Sequence, residues 1–109
     1  MVDINKTISQ NESENKGMEI YLYFNPEIGF YTTYGVSAFL ADHIIEGPKA
    51  FSDAYQMPVM IVTPGEVQSL RNSTQKLEHE AHSFYHFRLR NPIGADGYAK
   101  WAQSLKKKV

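Results

Sequence analysis

Two runs of alternating residues, "EIYLYF" and "FYTTY", flank the pentapeptide "NPEIG". In the first run Ile20, Leu22 and Phe24 alternate with Tyr21 and Tyr23, a period of two that only an extended strand turns into a single apolar face. Asn25, Pro26 and Gly29 supply turn chemistry, and Phe30, Thr32 and Tyr34 then alternate against Tyr31 and Thr33. The pattern predicts a β-hairpin. An isolated hairpin is marginal in water, so these strands must belong to a larger sheet. A chain of 109 residues has room for one modest core, which that sheet must serve.

The remaining segments supply the partners. Ser37 is a candidate N-cap for a short helix through "AFLADHIIE", with Gly47 at its carboxyl end and Pro48 blocking continuation. Residues 48–56 fit either a helical turn or a loop. "MPVMIV" is an apolar, β-branched run that predicts a central strand. Thr63, Pro64 and Glu66 then form a capping box with proline at the first helical position. The helix they open has Val67, Leu70, Thr74, Leu77, Ala81 and Phe84 on one stripe. Beyond residue 83, Tyr85, Phe87 and Leu89 alternate with His86, Arg88 and Arg90, which favours a strand ended by Pro92 over a helix continuing to Arg88. Asp96 is a candidate cap for a last helix with Tyr98, Trp101, Ala102 and Leu105 on one face. Residues 1–17 are rich in Asn, Glu, Ser and Lys without a sustained apolar period, and read as a disordered, solvated leader. The expected architecture is α+β: a leader over 1–17, then a single domain over 18–109 with an N-terminal hairpin and a mixed sheet packed by two or three helices.

Composition narrows the functional classes. Eleven basic residues against twelve acidic ones leave a net charge of −1, so no overall field draws the protein to nucleic acid or to an anionic membrane. The absence of cysteine removes a disulfide framework, a zinc ribbon and thiol catalysis, and suits a reducing compartment, with the cytoplasm as the expected location. No stretch approaches the roughly 18 to 20 apolar residues of a membrane span, and no secretory signal pattern opens the chain. Neither a phosphate-binding glycine loop nor a nucleophile elbow occurs, so nothing marks an enzyme.

Three of the four histidines lie in "KLEHEAHSFYHFRLRN". On a helix running through this segment, His79, His82 and His86 would fall on one solvent-facing stripe, and His82 with His86 has the i, i+4 spacing of metal-binding helices. His79 and His86 would stand about 10.5 Å apart along the axis, so all three could not serve one ion. The balance favours ordinary exposed or half-buried histidines, with a metal-binding protein or metal-dependent enzyme that uses His79, His82 or His86 as the alternative and no cofactor expected beyond a weak divalent metal. Arg88 and Arg90 share one face of the strand predicted there and are candidates for single-strand nucleic-acid contacts, against which the near-neutral charge argues.

The strongest remaining feature is aromatic. With Ile20, Leu22 and Phe24 inward, Tyr21 and Tyr23 face outward, joined by Tyr31 on the partner strand. Tyrosine clusters favour protein interfaces because a rigid ring buries much area at small entropic cost. The alternative is packing against a helix on the second sheet face. Two fragments in order, "YFNPEIGFY" and "MPVMIVTPGEVQSLRN", resemble the opening of phage tail-fibre assembly proteins and cover about a quarter of the chain. Residues 32–56 separate them, and the aromatic run after Ser83 has no counterpart. That resemblance implies an assembly chaperone and assigns no site residue. The sequence therefore leads to a small non-enzymatic protein-binding module, an accessory protein, inhibitor or assembly factor, acting on a protein partner or on a second copy through an exposed strand edge.

Overall fold

The computed structural model describes residues 4–81, 84–89 and 94–106, with side chains at all of these except 4–6 and 73–81. The elements in order are α1 (Ile4–Glu14), β1 (Glu19–Asn25), β2 (Phe30–Tyr34), α2 (Gly35–Asp42), β3 (Lys49–Ser52), β4 (Met57–Val62), α3 (Pro64–Ser73), β5 (Thr74–Ala81), β6 (Phe84–Leu89) and α4 (Tyr98–Lys106). The strands form one sheet in the order β3-β4-β2-β1-β6-β5. This is the α+β single domain that the alternation predicts.

The β1–β2 hairpin forms where its turn residues place it. The Asn25 carbonyl accepts the Gly29 N–H at 2.9 Å, and the Asn25 side chain accepts the Glu27 N–H at 3.0 Å, an Asx turn that fixes the reversal. Register follows from that turn: Tyr23 opposes Thr32, and Phe24 opposes Tyr31.

Every described strand pairing is antiparallel, which corrects the expected mixed sheet. The cause is the segment 48–56. A strand, a helix and a strand alone would return the chain parallel to its start. Here residues 49–52 insert β3, and a turn with Gln56 at a positive φ of 55° reverses the chain once more. β4 therefore meets β2 antiparallel.

The capping box forms as its residues predict. The Glu66 carboxylate accepts the Thr63 N–H at 3.0 Å, and the Thr63 hydroxyl accepts the Glu66 N–H at 3.4 Å. The helix ends earlier than its apolar stripe suggests, at Ser73, and β5 follows at once. Thr74, Leu77 and Glu80 are the cross-strand partners of Leu89, Phe87 and Tyr85. Register shifts after Thr74 and Leu77 stretch the period of two to a spacing of three, which imitates a helix.

The main core lies on the sheet face that α2, α3 and α4 cover. Ile20, Leu22, Met60, Val62 and Phe87 meet Ala38, Leu40, Val67 and Leu70 there, all buried. Each large apolar side chain so placed contributes about 1.5–3 kcal/mol relative to exposure. On α4, Leu105 is buried, and the Trp101 indole N–H donates to Asp42 at 3.2 Å, tying α4 to the end of α2.

The segment expected to be a solvated leader carries α1. Its Ile8 is buried against the opposite sheet face. Downstream, the Gly17 carbonyl accepts the Gly94 N–H at 3.1 Å and the Met18 carbonyl accepts the Leu89 N–H at 2.8 Å. Gly17 has a φ of +99°, and a Cβ there would lie 2.3 Å from the Gly94 carbonyl carbon. Gly17→Ala is therefore expected to cost about 2–4 kcal/mol from backbone strain and overlap, read as a fall in the urea midpoint at unchanged slope.

Candidate functional site

The second sheet face collects the aromatic residues that β1 and its neighbours turn away from the main core. Tyr23 is tilted against Tyr34 with ring centroids 5.9 Å apart, Tyr34 against Tyr55 at 4.8 Å, and Tyr23 against Phe84 at 5.4 Å. α1 lies over this cluster. Ile8 packs into it, and the Tyr23 hydroxyl accepts a hydrogen bond from the Asn11 amide at 2.9 Å. Beside Ile8 is an open cavity of about 320 Å³, lined by Tyr23, Tyr34, Tyr55, Asn25 and Glu27 among others.

The hairpin tip stands next to that cavity. Ile28 is 42% exposed and Phe30 is 40% exposed, on either side of Gly29. They are the only exposed large hydrophobic residues among those described. Gly29 has a φ of +73°, and nothing lies within 4 Å of the position a Cβ would take. The tip thus presents its two apolar side chains to solvent on a well-defined turn.

The expected exposed trio of Tyr21, Tyr23 and Tyr31 does not form. Tyr23 is buried at 4% exposure beneath α1, the second-face helix packing that the sequence left open. Tyr31 opposes Phe24 in the register, so it belongs to the main-core face, where it meets Phe24 and Tyr85 edge-on at 5.5 and 5.3 Å. Tyr21 stays on the second face, half-buried and stacked on His86 at 4.3 Å. Burial, with the neighbouring Glu19 carboxylate, pushes the Tyr21 phenol up to about 12.

The histidines do not form a helical stripe. His79 on β5 and His86 on β6 are cross-strand partners, while His82 lies outside the described residues. The Glu19 carboxylate stands 3.3 Å from His86 Nε2 and 3.3 Å from the Arg88 guanidinium, so one acid serves both side chains. No three His, Asp or Glu side chains among the described residues come together as a metal-holding group. Arg88 is exposed and donates to Glu19, and Arg90 lies outside the described residues.

A buried acid sits beneath the lid. Glu12, one turn after Ile8 on α1, is only 7% exposed. Its Oε1 accepts the Ser37 N–H at 2.8 Å and its Oε2 accepts the Ser37 hydroxyl at 2.6 Å. Ser37 is therefore not the N-cap of its helix. α2 begins earlier, at Gly35 with a φ of +54°, and Tyr34 at its N-cap supplies no side-chain bond. Glu12 fills that role from another helix, taking an N–H that the first turn cannot satisfy internally. Burial raises the Glu12 carboxyl to about 7, against the lowering effect of bonds from Ser37 and Asn15.

The Ser37 hydroxyl is equally committed. It accepts the Tyr21 N–H at 3.1 Å and the Asn15 amide at 3.2 Å. The Asn15 amide also donates to the Glu19 carbonyl at 2.6 Å. Ser37 was legible in the sequence as a helix-start residue, whereas Glu12 was not, because no periodicity marks an acid that caps a helix 25 residues away. Ile28 and Phe30 were visible as turn and strand letters, and only the fold shows them standing out together.

The chain matches no family model, no curated protein and no solved structure. Among the described residues no helix is long and apolar enough to cross a membrane.

Ser37→Ala removes the hydroxyl from three buried or half-buried partners. It is expected to cost about 2–4 kcal/mol in urea unfolding, well above the loss of an exposed hydrogen bond such as that of Ser104.

Proposed function

We propose that this protein is a small non-enzymatic binding module that engages a protein partner with the tip of its β1–β2 hairpin. The observation that carries this reading is the exposure of Ile28 and Phe30, adjacent in space to the aromatic cavity. Large apolar side chains held in water on a rigid turn gain free energy when a partner covers them, and a neighbouring concavity gives the partner something to fill. Asn25 and Glu27 at the cavity supply polar groups that orient such a contact. The near-neutral charge and the commitment of Arg88 to Glu19 favour a protein over a nucleic acid as the partner. We infer an accessory, inhibitory or assembly role in the cytoplasm, the compartment that suits a chain without cysteine.

The test is recovery of the tagged protein from its own host, followed by native mass spectrometry of the assemblies it carries. The Ile28→Ser, Phe30→Ser double variant is expected to retain at least about tenfold less of a defined protein partner than the parent chain. Its unfolding free energy should stay within about 1 kcal/mol, since neither side chain belongs to a core. Undiminished partner retention in the double variant would overturn the reading.

A further inference from the structure

We propose that α1 is a pH-sensitive latch over the aromatic face, closed by Glu12 against the first turn of α2, so that proton uptake tightens the lid and proton loss loosens it. The latch stands on its own geometry; its consequence for binding rests on the hairpin reading above.

Few buried contacts hold α1. Its sequence, "INKTISQNESE", is polar, and a helix of 11 residues with that composition is unstable alone in water. Of its side chains described, only Ile8 and Glu12 are buried, four residues apart and hence on one face. Ile8 supplies apolar contact with Tyr23 and Tyr34. Glu12 supplies the buried polar contact, to Ser37, beside the bond from Asn11 to the Tyr23 hydroxyl, and it is the only acid among the buried residues described.

The site can accommodate both protonation states. With Glu12 ionised, both oxygens accept from Ser37, whose hydroxyl accepts in turn from Tyr21 and Asn15. With Glu12 protonated at Oε2, the acid donates to Ser37 Oγ, and the Ser37 hydroxyl turns to the Glu19 carbonyl, 3.4 Å away. Asn15 then keeps its shorter bond to that same carbonyl. No backbone movement is needed.

The charged surroundings set the direction. α2 faces Glu12 with neutral donors alone: the N–H groups of Val36 and Ser37 and the Ser37 hydroxyl. The titratable groups that feel the Glu12 charge are Tyr21 and Tyr23 on β1 and Tyr98 on α4, all with raised phenols. Glu14 on α1 and Glu19 on β1 are further acids on the same side, and Glu19 already holds His86 and Arg88 on β6. Among the described residues no cation bonds Glu12, so its ionised form is buried there without an opposite charge.

Released α1 returns Glu12 to water and to the usual carboxyl value of 4.5, whereas the closed lid raises it to about 7. The closed state thus binds more protons between those values. Closure strengthens as pH falls through that window and is weakest above it, with a span on the order of a hundredfold in the closing equilibrium.

The test uses the full chain. The Glu12 carboxyl carbon is followed by NMR between about pH 5 and about pH 8.5, with amide hydrogen exchange over residues 8–14 corrected for intrinsic rates. The expected result is a Glu12 midpoint near 7, with protection of α1 falling on the order of a hundredfold as pH rises from about 5 toward that midpoint and levelling off above it. Glu12→Gln, which keeps the shape without the charge, should hold α1 protected at every pH. A midpoint below about 5.5, protection that does not change with pH, or the parent profile persisting in Glu12→Gln would overturn the latch. If Glu12→Gln fails to fold, the parent titration decides alone. These results leave the hairpin reading untouched, and failure of the Ile28, Phe30 experiment leaves the titration untouched.

Discussion

The bonds between the Glu12 carboxylate and Ser37, with the buried Asn15–Ser37 bond beside them, join the amino-terminal segment to the start of α2. The carboxylate caps α2 from outside, seats α1 on the sheet and, through the Ser37 hydroxyl, fixes the Tyr21 N–H of β1. A helix start buried between two other elements cannot rely on water for its first N–H groups, so a side chain must supply the acceptor. Supplying it from α1 makes the amino-terminal segment part of the fold. Gly35, with a positive φ, turns the chain straight from β2 into α2, and the Glu12 side chain lies 3.2 Å from where a Cβ on that glycine would be. Tight turn and buried cap thus occupy one place.

That junction separates two regions with different physics. The main core is apolar, and it draws on β1, β2, β4 and β6 together with α2, α3 and α4. The second face is aromatic and polar at once, with hydroxyls and amides interleaved among rings. Rings tilted against one another around polar tips leave gaps that aliphatic side chains would fill, and the cavity beside Ile8 is one. The hairpin tip projects from the margin of this less regular face, which is where a partner could be received without disturbing the core.

Local signals were readable wherever one element's own residues decide its shape. The hairpin followed from the period of two and the Asn25 turn, the start of α3 from Thr63 and Glu66, and β6 from Tyr85, Phe87 and Leu89. What was not readable depends on partners distant in sequence. β5 has the residues of a helix stripe because its register shifts replace a period of two with steps of three. β3 has no periodic pattern long enough to mark it, and its pairing with β4 alone makes it a strand. α1 lacks an apolar stripe because its buried described side chains are one isoleucine and one acid, and an acid does not register as a core residue. The tyrosines illustrate the same divide, since alternation assigned Tyr21 and Tyr23 to one face, while only the hairpin register sends Tyr31 to the other.

The two regions also differ in what their disruption would cost. α1 contributes one fully buried apolar side chain, worth about 1.5–3 kcal/mol, and one buried acid whose desolvation offsets much of its hydrogen bonding. If α1 lifts, Ser37 still accepts from Tyr21 and Asn15, and water can take over the freed N–H groups of α2. The sheet and its three covering helices keep their contacts on the far face. α1 is therefore separable from the fold in energy, although its cap organises the junction. A lid with that property can change how much of the aromatic face is open while the hairpin tip, held by its own turn and by β1–β2 pairing, keeps one shape.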